Sequence, residues 1–111
     1  MLFSWTNFCR TGATATLTTV YLHNNANGAA AIKEIELVNS STLPVQAWVY
    51  IVPDAATAGY ANAVVPGWTV QPSGNKKWNG FKVLVTTGDT VQVRSSSNGA
   101  IAIHVDGGRY G

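Results

Sequence analysis

The sequence predicts an all-β protein, an antiparallel β-sandwich of the immunoglobulin-like or jelly-roll type. Three observations support this fold class: apolar residues alternate with polar ones at a period of two, turn-forming residues separate the alternating runs, and no window shows the 3.6-residue period of an amphipathic helix. About eight short strands in a chain of this length are typical of sandwiches and small barrels.

The chain divides into an opening segment and one domain. Residues 1–15 lack alternation and carry Phe3, Trp5 and Phe8 among Ser, Thr and Asn, so they form either an irregular arm or a first edge strand. We expect these aromatics to dock on a partner or to cap the end of the sandwich. Residues 16–111 form a single β-sandwich domain, long enough to bury a core without disulfides.

Three strands are predicted in the first half of the domain. Residues 17–22 form the first, and an Asn/Gly-rich turn follows because both residue types tolerate positive φ. Residues 30–39 form the second strand, and a turn at 40–44 leads into the third, Val45–Val52. An Ala/Gly-rich loop then covers residues 53–62.

The next segment is predicted to contain two brief strands, residues 63–65 and 69–71. They are separated by Pro66 and Gly67, which we expect to break the strand ladder. A turn at residues 72–75 follows.

Two hairpins and a flexible end complete the prediction. Residues 78–87 and 90–95 are strands joined by a tight turn at Gly88-Asp89. Asn98-Gly99 is a second hairpin signal before the last strand, residues 100–105. A flexible end containing three glycines is expected after it: Gly107, Gly108 and Gly111.

Alternation within these strands predicts the core, because inward side chains recur at every second position. The predicted inward set is Val20, Ile35, Leu37, Val49, Ile51, Phe81, Val83, Val85, Val91, Val93, Ile101, Ile103 and Val105. The strand Val45–Val52 is apolar on both faces, since Trp48 and Tyr50 alternate with its core positions. We therefore expect other protein to cover its outer face.

Charged residues make up only 11% of the chain, against about 25% in a typical soluble domain. This deficit favours a subunit covered by partners over a monomer solubilised by Ser, Thr, Asn and Gln. The net charge of +2, without a basic stripe, argues against nucleic-acid binding. No apolar run is long enough to cross a membrane or to serve as a signal peptide, so we expect a cytosolic origin in a reducing compartment.

The polar residues do not assemble into a catalytic or metal site. His23 is placed in a turn and His104 on the outward side of the last strand, neither at a metal-ligand spacing. Glu34 and Glu36 share a strand face, which is more often solvated than catalytic. Cys9 is the single cysteine, so an internal disulfide is excluded. We expect no enzymatic activity, no cofactor and no metal.

The tryptophans allow two interpretations. Trp5, Trp48, Trp68 and Trp78, with Tyr60, are candidates for a sugar-stacking platform on a β-sandwich. The same residue type is enriched at protein interfaces, and this interpretation is favoured.

Two segments carry a resemblance to a known class of proteins. The first runs through residues 29–62 and includes IELVN and VYIVPDAATAGYAN; the second, residues 88–107, includes the turn and strand GDTVQV. In order and spacing they resemble small β-sandwich virion proteins of tailed bacteriophages, over about two thirds of the chain. The resemblance implies a structural protein on the virion, most specifically a capsid decoration (cement) protein at the capsid surface. A tail, neck or baseplate component and a carbohydrate-binding host-attachment module are the alternatives.

The resemblance also implies the partners: the major capsid protein or another virion protein, with a homo-oligomer expected and a trimer favoured. Nucleic acid and membrane are not expected. Aromatic anchors with adjacent cations are typical of stable interfaces. The predicted contact residues are Phe3, Trp5, Phe8, Arg10, Trp48, Tyr50, Trp68, Lys76, Lys77 and Trp78.

Overall fold

A computed structural model describes residues 3–110 as two four-stranded antiparallel sheets packed face to face. Short 3-10 turns at Asn25–Asn27 and Tyr60–Asn62 are the helical segments of this region, and none is long and apolar enough to cross a membrane. The strands are β1 (Phe3–Gly12), β2 (Thr18–Leu22), β3 (Ala29–Asn39), β4 (Val45–Val52), β5 (Ala63–Val70), β6 (Asn75–Leu84), β7 (Thr90–Ser95) and β8 (Ile101–Tyr110).

The strand order identifies the fold as a jelly roll. The first sheet has the order β1-β8-β3-β6 and the second the order β2-β7-β4-β5. Every connection except β4–β5 crosses from one sheet to the other, which gives the two interleaved Greek keys of a jelly roll. The all-β sandwich prediction is confirmed, and the jelly roll is the alternative that applies.

Both predicted hairpins are wrong for the same reason. Gly88-Asp89 lies between β6 and β7, and Asn98-Gly99 lies between β7 and β8, but each of these strand pairs is divided between the two sheets. A Gly-containing turn fixes a local reversal of the chain. It does not determine whether the returning strand pairs with its predecessor or crosses to the opposite sheet.

The expected break at Pro66-Gly67 is also wrong. β5 continues through both residues, and a register shift opposite Trp48 accommodates them. β5 is an edge strand, where a proline can face away from the ladder, and Gly67 takes the extra bend at φ +79°.

The C-terminal glycines are not a flexible end in the part of the chain described. Gly107 and Gly108 are buried inside β8, a central strand paired on both sides, while Gly111 lies outside the described residues. Phe3 on the neighbouring edge strand packs its ring against Gly108, where a Cβ would overlap it.

The core lies between the sheets and contains most of the predicted inward set. Ile35, Leu37, Val49, Val91, Val93, Ile101, Ile103 and Val105 are each 1% exposed or less. Phe81, Val83 and Val85 are instead 56%, 45% and 52% exposed. In β6 it is Trp78, opposite Ile35, and Leu84 that pack against the core, so an assignment displaced by one residue places Phe81 and Val83 on the wrong face.

Candidate binding surfaces

The predicted contact residues do not converge on one surface. Trp48 and Tyr50 lie on the outer face of β4 in the second sheet, because the neighbouring positions Ala47 and Val49 enter the core. Trp5 and Lys77 lie on the outer face of the first sheet. These two faces are on opposite sides of the sandwich.

Five of the ten predicted contact residues are half-buried within the chain itself. Trp68, Trp78 and Phe8 pack against the core, so these three aromatics contribute to the sandwich itself. The other two half-buried residues are Trp48 and Tyr50. The exposed members of the set are Phe3, Trp5, Arg10, Lys76 and Lys77.

An aromatic cluster with a lysine at its centre occupies the outer face of the first sheet. The Nζ of Lys33 lies 5.4 Å from the ring centroid of Trp5, 5.9 Å from that of Phe3 and 5.8 Å from that of Phe81. Phe3 meets Trp5 edge to face, with centroids 4.9 Å apart and planes at 88°. Trp5 nevertheless remains 76% exposed.

A groove of about 450 Å³ opens beside Trp5, and we call it the Trp5 groove. Its lining is Trp5, Lys33, Glu34, Asn79, Asp106 and Gly107. The β3 bulge between Ile32 and Glu34 places Lys33 and Glu34 at consecutive positions on its border. This groove brings one ring face together with carboxylate, amide and ammonium groups.

On the outer face of the second sheet, the ring of Trp48 is partly covered by other residues of the chain. The guanidinium of Arg94 covers the Trp48 ring at 3.7 Å from its centroid, and the ring edge packs against the backbone of Gly67. Part of the cover expected over Trp48 therefore comes from the chain itself.

One end of the sandwich is built from loops tied together by Asp89; we call it the loop end, residues 23–28, 53–62 and 85–89. Asp89 is 7% exposed, and its carboxylate accepts the backbone N–H of Asp54 at 2.9 Å and that of Thr86 at 3.1 Å. Its carbonyl accepts the N–H of His23 at 2.8 Å. One residue thus links all three loops.

The loop end presents exposed side chains that are not among the ten predicted contact residues. Tyr60 is 93% exposed, Leu22 at its border is 64% exposed, and Val85 is 52% exposed. Its three loops contain two acidic residues, Asp54 and the buried Asp89, and no lysine or arginine. The signal available from sequence was an aromatic residue inside a loop made mostly of small residues.

The two histidines occupy structural positions. His23 is fully buried, and its Nδ1 lies 3.0 Å from the hydroxyl of Tyr21, which accepts a hydrogen bond from Arg109 at 3.3 Å. His104 lies on the outer face of β8, with Nδ1 3.8 Å from Glu36. Within residues 3–110 no three His, Cys, Asp or Glu side chains are grouped to hold a metal ion.

Glu34 and Glu36 on β3 contact different partners. Glu34 lies 3.8 Å from the ammonium of Lys77, and Glu36 accepts a hydrogen bond from Asn75 at 2.9 Å. Neither arrangement resembles a general acid–base pair aimed at a common point.

Cys9 is buried on the inner side of β1. Burial raises the pKa of its thiol, and the nearby Asp106 carboxylate raises it further. Both effects disfavour the thiolate, which is the reactive form.

Comparison with known proteins gives a likeness of fold. No family model and no curated protein matches the chain. A subunit from Bacillus endospore appendages, described as a novel family of disulfide-linked pili, superposes with a TM-score of 0.56 at 18% identity, covering 97% of this chain and 87% of that one. A chain of infectious bursal disease virus, Gx strain, gives a TM-score of 0.48 at 13% identity; the present chain spans about a third of it (32%) and is itself covered to 95%. At 18% identity the likeness to the appendage subunit is evidence of a shared fold and not of a function.

Proposed function

We propose that this protein is a non-enzymatic structural subunit of a multi-copy assembly and, more specifically, a capsid decoration protein that binds the virion shell through its loop end. The observation that carries the proposal is the combination of exposed Tyr60, Leu22 and Val85 with loops fixed by the buried Asp89. A rigid apolar surface binds a partner at a low entropic cost, because little is ordered on contact.

The composition of the loop end fits a static protein contact. Its loops are made largely of Ala, Gly, Asn and Thr, whose small side chains allow the backbone of a partner to approach closely. A charge-poor contact region is typical of the centre of an interface, where charged residues are depleted. An active site would instead require convergent groups with perturbed ionisation.

Three further observations support an assembled state. The charged fraction of 11% is low for a free monomer. The resemblance to phage virion proteins implies a lattice on which many weak contacts add. The pilus subunit with the same fold belongs to an assembly described as disulfide-linked, whereas the single cysteine here is buried. Contacts between copies would therefore be non-covalent, and a homotrimer bound to the major capsid protein is the arrangement we favour.

Electron microscopy of purified particles, combined with loop-end variants, tests the proposal. Tyr60→Ala and Leu22→Ala should each weaken co-sedimentation with shells that lack the protein, by about 30-fold where the residue is a central anchor worth about 2 kcal/mol. Leu43→Ala is the matched control, because Leu43 is 70% exposed at the opposite end of the sandwich. Density for the chain in the tail, or no effect of either loop-end variant, would contradict capsid decoration through this end.

A further inference from the structure

We propose that the Trp5 groove is a binding site for a neutral saccharide. The inference goes beyond the structural role proposed above and does not depend on it, because the groove lies on the broad outer face of the first sheet and not among the loop-end residues. It gives the molecule a recognition function that the loop end does not supply.

The first element of the site is an exposed ring in a fixed orientation. Trp5 is 76% exposed, although its ring packs edge to face with Phe3 and lies near the Lys33 ammonium. Phe3 is itself seated on Gly108, in a space that only a residue without a side chain leaves open. The indole is thus held by its contacts with Phe3 and Lys33 while most of its surface remains exposed to solvent.

The second element is a polar border that offers both donors and acceptors. Glu34 and Asp106 supply carboxylate oxygens, and Asn79 supplies an amide. Within residues 3–110, the side chains of Asn79 and Lys33 make no hydrogen bond or ion pair, so their donors are available to a ligand. The groove combines four hydrogen-bonding side chains with one aromatic face.

These two elements complement a sugar ring. A pyranose has an apolar face of C–H groups and a rim of hydroxyls that both donate and accept, which matches an indole face bordered by mixed polar groups. The two carboxylates are balanced by two ammonium groups, since Glu34 lies 3.8 Å from Lys77 and Lys33 also lines the groove, and Asp106 accepts a hydrogen bond from Asn7 at 2.7 Å. The site therefore does not require a charged ligand.

The size and shape of the groove agree with this class of ligand. Its volume of about 450 Å³ lies within the range of about 300–1,000 Å³ found for small-molecule sites. A protein partner would cover the whole aromatic cluster, including Phe81, whereas Trp5 is the aromatic residue of the cluster that lines the groove.

The test is a glycan array followed by NMR titration of the full chain with maltohexaose, cellohexaose and chitohexaose. We expect array binding to neutral glycans and amide shifts concentrated at Trp5, Asn79 and Gly107 in the titrations. Trp5→Ala should weaken binding by about tenfold or more, equivalent to about 1.4 kcal/mol of stacking. Asn79→Ala, which leaves the aromatic cluster intact, should weaken it to a smaller extent. Tyr60→Ala, which removes an aromatic exposed at the loop end, should leave it unchanged.

The following outcomes would each contradict the proposed saccharide site. If the wild-type chain binds none of the array glycans and none of the three oligosaccharides, the groove is not a saccharide site. Sugar binding that persists in Trp5→Ala, or that is lost in Tyr60→Ala, places the site elsewhere. Loss of particle binding in Trp5→Ala without sugar binding by the wild type would make Trp5 a protein contact. The loop-end variants test the structural role separately.

Discussion

The guanidinium of Arg94 lies 3.7 Å from the centroid of the Trp48 ring on the outer face of the second sheet. The two residues are direct partners in the β4–β7 ladder, so strand register alone places them in contact. Such a pair shields an aromatic side chain that the strand pattern leaves outside the core.

We expect Arg94→Ala to lower the free energy of unfolding by about 0.5–2 kcal/mol, the range of exposed to desolvated cation–π contacts. Arg94→Lys should recover only part of the lost stability, because the compact ammonium of lysine lacks the planar group that stacks on the indole face. Urea denaturation measures both changes. Lys76→Ala, which removes an exposed cation, is the control and should leave stability nearly unchanged.

Gly67 lies against the same tryptophan, which makes it a sharper test of the packing on this face. An added Cβ would lie 2.8 Å from Trp48 Nε1, at a residue whose φ is +79°. Gly67→Ala therefore combines backbone strain with overlap against the indole. We expect it to destabilise the fold by about 2–5 kcal/mol, the sum of a left-handed backbone penalty of about 1–2 and an overpacking cost of about 1–3.

Gly99→Ala separates the two contributions to that loss. Gly99 has a φ of +72°, but an added Cβ meets nothing within 4 Å. The Gly99→Ala variant should lose about 1–2 kcal/mol of unfolding free energy, from backbone strain alone. Equal losses for the two variants in thermal or urea denaturation would show that the contact between Gly67 and Trp48 adds nothing.

Several strands were predictable because period-2 alternation reports burial on one face directly. Val45–Val52 and Thr90–Ser95 have the predicted bounds. Pairing was not predictable in the same way. In a jelly roll the partner of a strand is usually distant in sequence, and the Gly88-Asp89 turn carries no information about which sheet receives the next strand.

The surfaces were predicted less well than the fold. Trp5 and Trp78 were both predicted as contact residues, but Trp5 is exposed and Trp78 packs inward. The register of β6 with β3 decides which side chains of β6 face the core, and a single-strand pattern does not give that register. The Trp5 groove depends on a β3 bulge at Ile32 and Glu34. A bulge is a feature of strand pairing, so a single-strand pattern does not reveal it.

Asp89 should control the rigidity of the loop end. Asp89→Ala removes the acceptor for two backbone N–H groups, those of Asp54 and Thr86, and we expect a loss of at least about 2 kcal/mol of stability. Hydrogen exchange should accelerate at both amides more than at core amides such as that of Val49.

Asp54→Ala is the matched control for this prediction, since it removes an exposed carboxylate from the same end. It should leave exchange at Thr86 close to wild type. If Asp89→Ala left the Asp54 and Thr86 amides as protected as in the wild type, Asp89 would not be the residue that holds the loops together.

Cys9 gives a prediction about pH. Burial, and then the Asp106 carboxylate, raise the pKa of the folded thiol above its ordinary value of 9.0, so the unfolded chain ionises first. The contribution of Cys9 to stability is therefore complete below pH 9.0 and is lost as the pH rises through the folded pKa. The wild type should lose stability more steeply than Cys9→Ala between neutral pH and this alkaline range, measured by urea denaturation at each pH.

Alkylation by iodoacetamide gives an independent measure of the same thiol. At pH 8 the native chain should react far more slowly than the chain unfolded in urea, because the thiolate is the nucleophile and burial suppresses it. Asp106→Asn removes the second cause of the raised pKa and should speed the native reaction, while the remaining burial keeps it slower than in the unfolded chain. Equal alkylation rates for native and unfolded protein would show that β1 opens readily from β8, since Cys9 lies on the inner side of that edge strand.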